Sequence, residues 1–247
     1  MKSSSNKGHV NNVYSLNALI ASVSTLGEAY NPSINLIKLP AMQETSAISG
    51  EVVAINTNAF SVWKTAVTTR DLAFKPLSRL VTRAMNFLKA TGVEKHVYDQ
   101  VNTVARKIKG QRASKRNKPE PPVDGTEPEP TPKQISASQM SFDSRISNLA
   151  IWTQLLSAIP EYNPNEADLT IESFSILHDD LAVKDNDYYA AEAALDSSRI
   201  ARNQVLYTPS TGLCDVGRTS KNYVKAVFGA SSPQFKQISK IRFITIK

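Results

Sequence analysis

Tyr30-Asn31-Pro32 and Tyr162-Asn163-Pro164 are the same tripeptide met twice, 132 residues apart. Both copies carry the chemistry of a helix start. An Asn side chain accepts an orphan amide proton of a first turn, and Pro fits the first helical position because its missing donor costs nothing there. Glu166 falls three residues after Asn163, as in an Asn-led capping box, whereas Ile34 stands at the matching place after Asn31. The reading predicts a long helix opening at each Asn-Pro, with the second start more firmly capped.

Other positions fall on the same spacing. Ile37 meets Leu169, Leu39 meets Ile171, Met42 meets Phe174, Arg70 meets Arg202 and Ala73 meets Val205. Upstream, Leu16 meets Leu149 if the spacing slips by one. Fixed-period self-similarity of this kind predicts a tandem pair of one helical unit. Apolar residues recur at steps of three and four through Val13, Leu16, Leu19, Ile20, Val23 and Leu26, and again through Phe174, Leu177, Leu181, Tyr188, Leu195 and Val205. That is helical periodicity. Pro76 and Pro209 are predicted to end the long helices, and Pro40 and Gly50 to kink the first of them. Shorter stripes follow at Leu77 to Leu88 and Val97 to Ile108, closed by Gly92 and Gly110, and at Leu213 to Phe228, closed by Gly229. The second copy carries about one extra helical turn, and its tail from Phe235 to Ile244 reads as either helix or strand.

The expectation is therefore an all-α protein with long antiparallel helices. Residues 1–9 form a disordered N-terminus, 10–110 a first helical bundle unit and 139–247 a second. A linker over 111–138 joins them, extended by six prolines among Lys, Glu, Ser and Thr. The second-copy phrases Tyr162-Asn163-Pro164-Asn165-Glu166 and Tyr223-Val224-Lys225-Ala226-Val227-Phe228-Gly229, with that spacer, resemble uncharacterised bacterial tandem-repeat helical proteins with a Pro/Lys-rich spacer. The resemblance implies the tandem helical layout and brings no assigned activity with it.

Composition narrows the function classes. The chain has 247 residues, a formal net charge of +7 and a single cysteine, Cys214, which excludes an intramolecular disulfide framework and a Cys-based zinc site. No run approaches the ~20 apolar residues of a membrane span. Lys2 and Lys7 before Val13–Leu26 imitate an export signal, but the internal counterpart of that stretch, Ile146–Ile159, marks it as helix, and the chain is expected in the cytoplasm. Residues 1–110 hold 13 Lys and Arg against 6 Asp and Glu, and residues 139–247 hold 11 against 12. The first half is basic and the second is not.

Arg106, Lys107, Lys109, Arg112, Lys115, Arg116 and Lys118 form the densest basic run, with no acid among them. Such a run neutralises phosphates, and Arg79 and Arg83, one helical turn apart, would extend it. No aromatic residue interleaves it, so base stacking is not offered. Arg70 and Arg202 fall on the buried rhythm, where a guanidinium needs an internal partner. Asp179, Asp180, Asp185 and Asp187 beside His178 read as a solvated acidic face, lacking the Gly-bearing turn and terminal Glu of a calcium loop. Cys214 reads as a small core residue. No phosphate-cradling loop, nucleophile elbow or metal-ligand spacing occurs, so no cofactor or metal is expected. The expected function is a non-enzymatic helical scaffold or protein-interaction protein, through a protein partner or self-association. The alternative is a nucleic-acid-associated protein using residues 106–118.

Overall fold

The computed structural model describes residues 7–111 and 140–245. Every regular element among the described residues is helical. In chain order these are α1 (Lys7–Ser24), α2 (Leu39–Phe74), α3 (Leu77–Ala90), α4 (Lys95–Lys109), α5 (Phe142–Ser157), α6 (Ile171–Tyr207), α7 (Leu213–Phe228) and α8 (Pro233–Ser239). Short 3₁₀ turns at Asn35–Ile37 and Ala167–Leu169 precede the two long helices. The linker expected over 111–138 lies outside the described residues save Gln111, as does the start of the N-terminus. Helix α1 already begins at Lys7, so residues 7–9 are helical and not frayed, and His9 is buried.

The Asn-Pro pairs do not start helices. α2 opens at Leu39 and α6 at Ile171, eight residues beyond Asn31 and Asn163. Both Asn side chains are exposed, while the flanking Tyr and Pro are buried. The tripeptide anchors a loop instead. Tyr30 Oη donates to the carbonyl of Ile37 at 2.7 Å, and Tyr162 Oη donates to that of Leu169 at 2.8 Å, the same bond on the same spacing. Side-chain caps are found elsewhere. Ser141 Oγ accepts from the Ser144 amide at 3.2 Å, Thr170 Oγ1 from Ser173 at 3.1 Å, and Ser232 Oγ from Phe235 at 3.1 Å with Pro233 at the first helical position. Pro40 does not break α2, because it sits in the first turn, where its amide has no helical partner to lose.

The described chain forms two compact units, and they do not follow the two copies. One unit combines residues up to Thr65 with residues from Ala190 onward; the other is Ala66–Tyr189. Each unit thus takes its head from one copy and its tail from the other. This division differs from the expected units over 10–110 and 139–247.

In the first unit, Leu16, Leu19 and Val23 of α1 are buried with Leu213, Val216 and Val224 of α7 and Ile238 of α8. Tyr30 is the hinge of that core. Its hydroxyl also lies 2.9 Å from Ser220 Oγ, and its ring meets Tyr223 edge-on at 5.3 Å. In the second unit, Leu149, Trp152 and Leu156 of α5 are buried with Leu77, Val81, Ala84 and Leu88 of α3 and Val101, Ala105 and Ile108 of α4. There Tyr162 meets Phe87 edge-on at 5.5 Å. The tail helices correspond at a spacing of 136, four residues more than the heads, so Phe87 and Tyr223 are the same position. The four residues are not the extra helical turn read in the second copy: α6 has 37 residues against 36 in α2, and the rest lie in the longer loop 208–212. Each tyrosine therefore stacks on the tail of the other copy.

The tail after α8 runs without regular structure and is clipped to α1. Asn12 Nδ2 donates to the Ile244 carbonyl at 2.8 Å, and the Ile244 amide donates to Asn12 Oδ1 at 2.9 Å. The ring of Phe243 lies where a Cβ on Gly217 would stand, so a side chain at that position of α7 would have to displace the ring.

Candidate functional site

Of the basic run, Arg106, Lys107 and Lys109 form the last turn of α4. Arg112, Lys115, Arg116 and Lys118 lie outside the described residues. Cations suit a helix C-terminus, whose unpaired carbonyls carry partial negative charge. Gly110 closes the helix in the left-handed conformation, at φ 68°, and Arg145 Nε donates to the Ile108 carbonyl at 3.2 Å. Lys107 is exposed; Arg106 and Lys109 are half-buried. Burial, reinforced by the Arg106 charge, holds the Lys109 ammonium below the usual lysine range.

Arg79 and Arg83 lie on α3. Arg79 is exposed, whereas Arg83 is turned to a protein carboxylate. Its two terminal nitrogens fork Asp168, with Nη2 to Oδ1 at 3.1 Å and Nη1 to Oδ2 closer still. The hydrogen bond from Arg83 keeps the Asp168 carboxyl below the usual carboxylate range, and Arg79 adds to that. The pair is half in water, so it contributes little stability; its effect is to commit Arg83 to the 3₁₀ turn before α6.

The two arginines on the buried rhythm build the most elaborate polar clusters. In the second unit, Arg70 Nη1 donates to Asp185 Oδ1 at 2.9 Å, and the two residues are only 8% and 3% exposed. The guanidinium is held between the Phe142 ring at 4.0 Å and the Tyr188 ring at 3.5 Å. Stacked rings and one carboxylate suit the flat, weakly hydrated guanidinium. Tyr189 Oη donates to Asp143 Oδ2 at 3.0 Å, and Asp143 lies close enough to Asp185 to affect its carboxyl. Burial raises the Asp185 carboxyl above its ordinary range; Arg70 opposes that shift and Asp143 adds to it. Asp185 is thus not part of a solvated acidic face. Its place on the Leu181–Tyr188 rhythm was the signal in the sequence. Asp180 does stand in water, with Lys184 Nζ at 2.9 Å, and His178 Nδ1 is 2.9 Å from Asp179.

In the first unit, Arg202 Nη1 donates to Asn56 Oδ1 at 2.7 Å, and its Nη2 to Asn203 Oδ1 at 2.9 Å. Asn56 Nδ2 passes the chain on to Ser198 Oγ at 2.8 Å. His9 Nδ1 lies 2.7 Å from Tyr207 Oη. Burial first, then the Arg202 charge, push the His9 imidazole down to about 4. It is neutral at physiological pH.

Both clusters join α2 to α6 through side-chain hydrogen bonds, Arg70 to Asp185 and Arg202 to Asn56. An open groove of about 400 Å³ is lined by Thr45, Ile48, Gln204, Val205, Thr208 and Thr211, none of them titratable. Cys214 is buried, with its thiol pushed up to about 11 by burial, as suits a core residue. Among the described residues, no three His, Cys, Asp or Glu side chains gather as a metal site, and no helix is long and apolar enough to cross a membrane.

Among the described residues the geometry defines an all-α protein in which buried Arg70 and Arg202 of the long helices pair with side chains of the other long helix. The chain matches no family model, no curated protein and no solved structure.

Proposed function

We propose that this chain is a non-enzymatic scaffold or protein-interaction protein of the cytoplasm, built by tandem duplication of one helical unit. The observation that carries the reading is the Arg70 cluster. A stacked, ion-paired guanidinium on the buried rhythm is the kind of group that otherwise anchors a ligand, and here Asp185, Phe142 and Tyr188 surround it. Its counterpart Arg202 is engaged by Asn56 and Asn203. Polar groups used in this way fix how helices meet and leave recognition to the outer faces. The test is affinity capture with the tagged full-length chain in its native cell extract, with and without nuclease. Protein partners, or the chain itself, retained after nuclease support the reading. Recovery that disappears with nuclease overturns it.

A second reading rests on the basic end of α4, where Arg106, Lys107 and Lys109 lie in the last turn and lead into the rest of the basic run. In this reading residues 106–118 bind the phosphate backbone of nucleic acid. Affinity would then fall steeply with salt, by about 0.9 in log affinity per unit of log salt for each phosphate contact on duplex DNA. Anisotropy titrations of the wild type and a Lys107→Gln/Lys109→Gln/Arg112→Gln/Lys115→Gln variant, at several salt concentrations, decide it. Equal and weak binding by both removes the basic run as a site.

A further inference from the structure

Residues 240–245, beyond α8, are held in the first unit largely through their backbone. Asn12 of α1 is buried, and its side-chain amide clamps both the amide and the carbonyl of Ile244. From α7, Arg218 Nη2 donates to the Phe243 carbonyl at 3.0 Å, and Lys221 Nζ donates to the carbonyls of Ser239, at 3.0 Å, and Ile241. Along the segment Ile241 and Phe243 pack against the core, while Arg242, Ile244 and Thr245 are exposed. The Phe243 ring fills the space left by the missing side chain of Gly217. Proteins that read an extended peptide use the same two means: hydrogen bonds to the main chain give affinity, and a hole for an alternate side chain gives specificity.

The sister copy shows that the fold does not require this arrangement. At the 136 spacing, Gly217, Arg218 and Lys221 become Val81, Thr82 and Met85, and residues 240–245 answer to 104–109, the end of α4. There a buried valine stands in place of the hole, and the segment is a helix that packs through Ala105 and Ile108. Apolar side chains on a helix are thus enough to secure this part of a unit. The first unit carries instead the parts that hold an extended backbone.

We propose that the face of α1 and α7 formed by Asn12, Gly217, Arg218 and Lys221 is a binding site for an extended peptide segment of a protein partner, in which an aliphatic residue and an aromatic residue flank one residue of any kind, and that residues 240–245 occupy this site in the free chain. The inference rests on the interaction-protein reading and names what the partner presents. The pattern is the one the site already holds, Ile241-Arg242-Phe243. The occupant leaves easily, because Ile244 is 56% exposed and the buried Ile238 of α8 stays in the core when the segment lifts.

Fluorescence-anisotropy titration of the full chain with a labelled peptide of the sequence Ser-Lys-Ile-Arg-Phe-Ile-Thr, that of residues 239–245, tests this. The wild type, whose site is occupied, should bind it weakly. Ile244→Pro removes the amide that donates to Asn12 and changes an exposed residue, and Phe243→Ala empties the hole. Each should tighten peptide binding about tenfold or more, with helix content unchanged. Adding Gly217→Val, the residue the sister copy carries there, should abolish the gain, as should Ala in place of Phe in the peptide. No binding to either opened variant overturns the proposal, as does equal binding by the wild type and the opened variants, or binding indifferent to Gly217→Val. A nuclease-resistant partner in the capture experiment, with no peptide bound in the titration, sinks this site alone; loss of that partner sinks the interaction reading.

Discussion

Arg70 and Arg202 occupy the same place in the two copies and are held by different chemistry. Around Arg70 stand a carboxylate and two rings, from Asp185, Phe142 and Tyr188. Around Arg202 stand amides, from Asn56 and Asn203, with His9 close enough to feel its charge. The substitutions are positional: Asn56 is where Tyr188 stands in the other copy, and His9 answers to Phe142 at the slipped spacing. A buried guanidinium thus tolerates either a neutralising charge with aromatic faces or a shell of amide oxygens. The first solution leaves a buried carboxylate that depends on its partner. The second leaves a buried imidazole that must stay neutral.

The largest consequence falls on the charged solution. Arg70→Leu strands Asp185 and should destabilise its unit by about 3–5 kcal/mol. Arg202→Leu leaves only amides without a partner and should cost less, about 1–3 kcal/mol. Urea melts of the two variants measure the gap, and equal costs would break the comparison.

Acid should separate the units next. The folded imidazole of His9, at about 4, lies below the ordinary 6.5. The unfolded chain therefore binds the proton first, and the stability from neutral His9 is fully present above pH 6.5 and lost as the pH falls towards 4. Asp185 has the opposite sign. Its raised carboxyl holds a proton more tightly folded than unfolded, so acid entering the carboxylate range favours the second unit through this group. Amide hydrogen exchange followed from pH 7 to about 4.5 should show α1 and the end of α6 losing protection before the Arg70 cluster. His9→Phe should flatten the loss. Simultaneous loss in both units, or no effect of His9→Phe, refutes the assignment.

Tyr30 and Tyr162 sharpen the comparison at smaller amplitude. Phe at either place leaves a buried carbonyl without its donor, at about 1–2 kcal/mol. Tyr30→Phe should be the costlier, because Ser220 loses a partner as well. Asn31→Ala and Asn163→Ala should both stay within about 0.5 kcal/mol, as befits exposed side chains that cap nothing. Thermal melts of the four variants check the order, and a loss at Asn163 on the scale of a helix cap would restore the Asn-Pro start.

What was legible in the sequence was local. Periodicity marked the stripes of α3 and α7, Pro76 and Pro209 marked the ends of the long helices, and Gly92, Gly110 and Gly229 marked three helix ends, each at positive φ. The 132-residue spacing was visible through Tyr30 and Tyr162, Asn31 and Asn163, and Arg70 and Arg202. The Asn-Pro pairs misled because the same dipeptide serves a helix start or a stiff loop. Its neighbour decides, and a tyrosine reaching a carbonyl seven residues on leaves no local trace. Which tail each head takes was invisible for a stronger reason. Tyr223 and Phe87 are equivalent positions, so the apolar pattern fits either pairing equally well, and only long-range packing chooses. Of the candidate basic surface, the pattern of charges gave positions but not that Arg83 would be committed to Asp168.

The exchange of tails fixes an order in time. Residues 66–189 are continuous, so the unit they form is whole in the nascent chain as soon as that stretch has been made. The residues before them have no such freedom. Leu16, Leu19 and Val23 are synthesised long before the side chains that cover them, which come from Leu213, Val216, Val224 and Ile238. Helix α1 must wait, apolar face uncovered, for α7 and α8, so the unit that is interrupted in sequence is the later of the two to be completed.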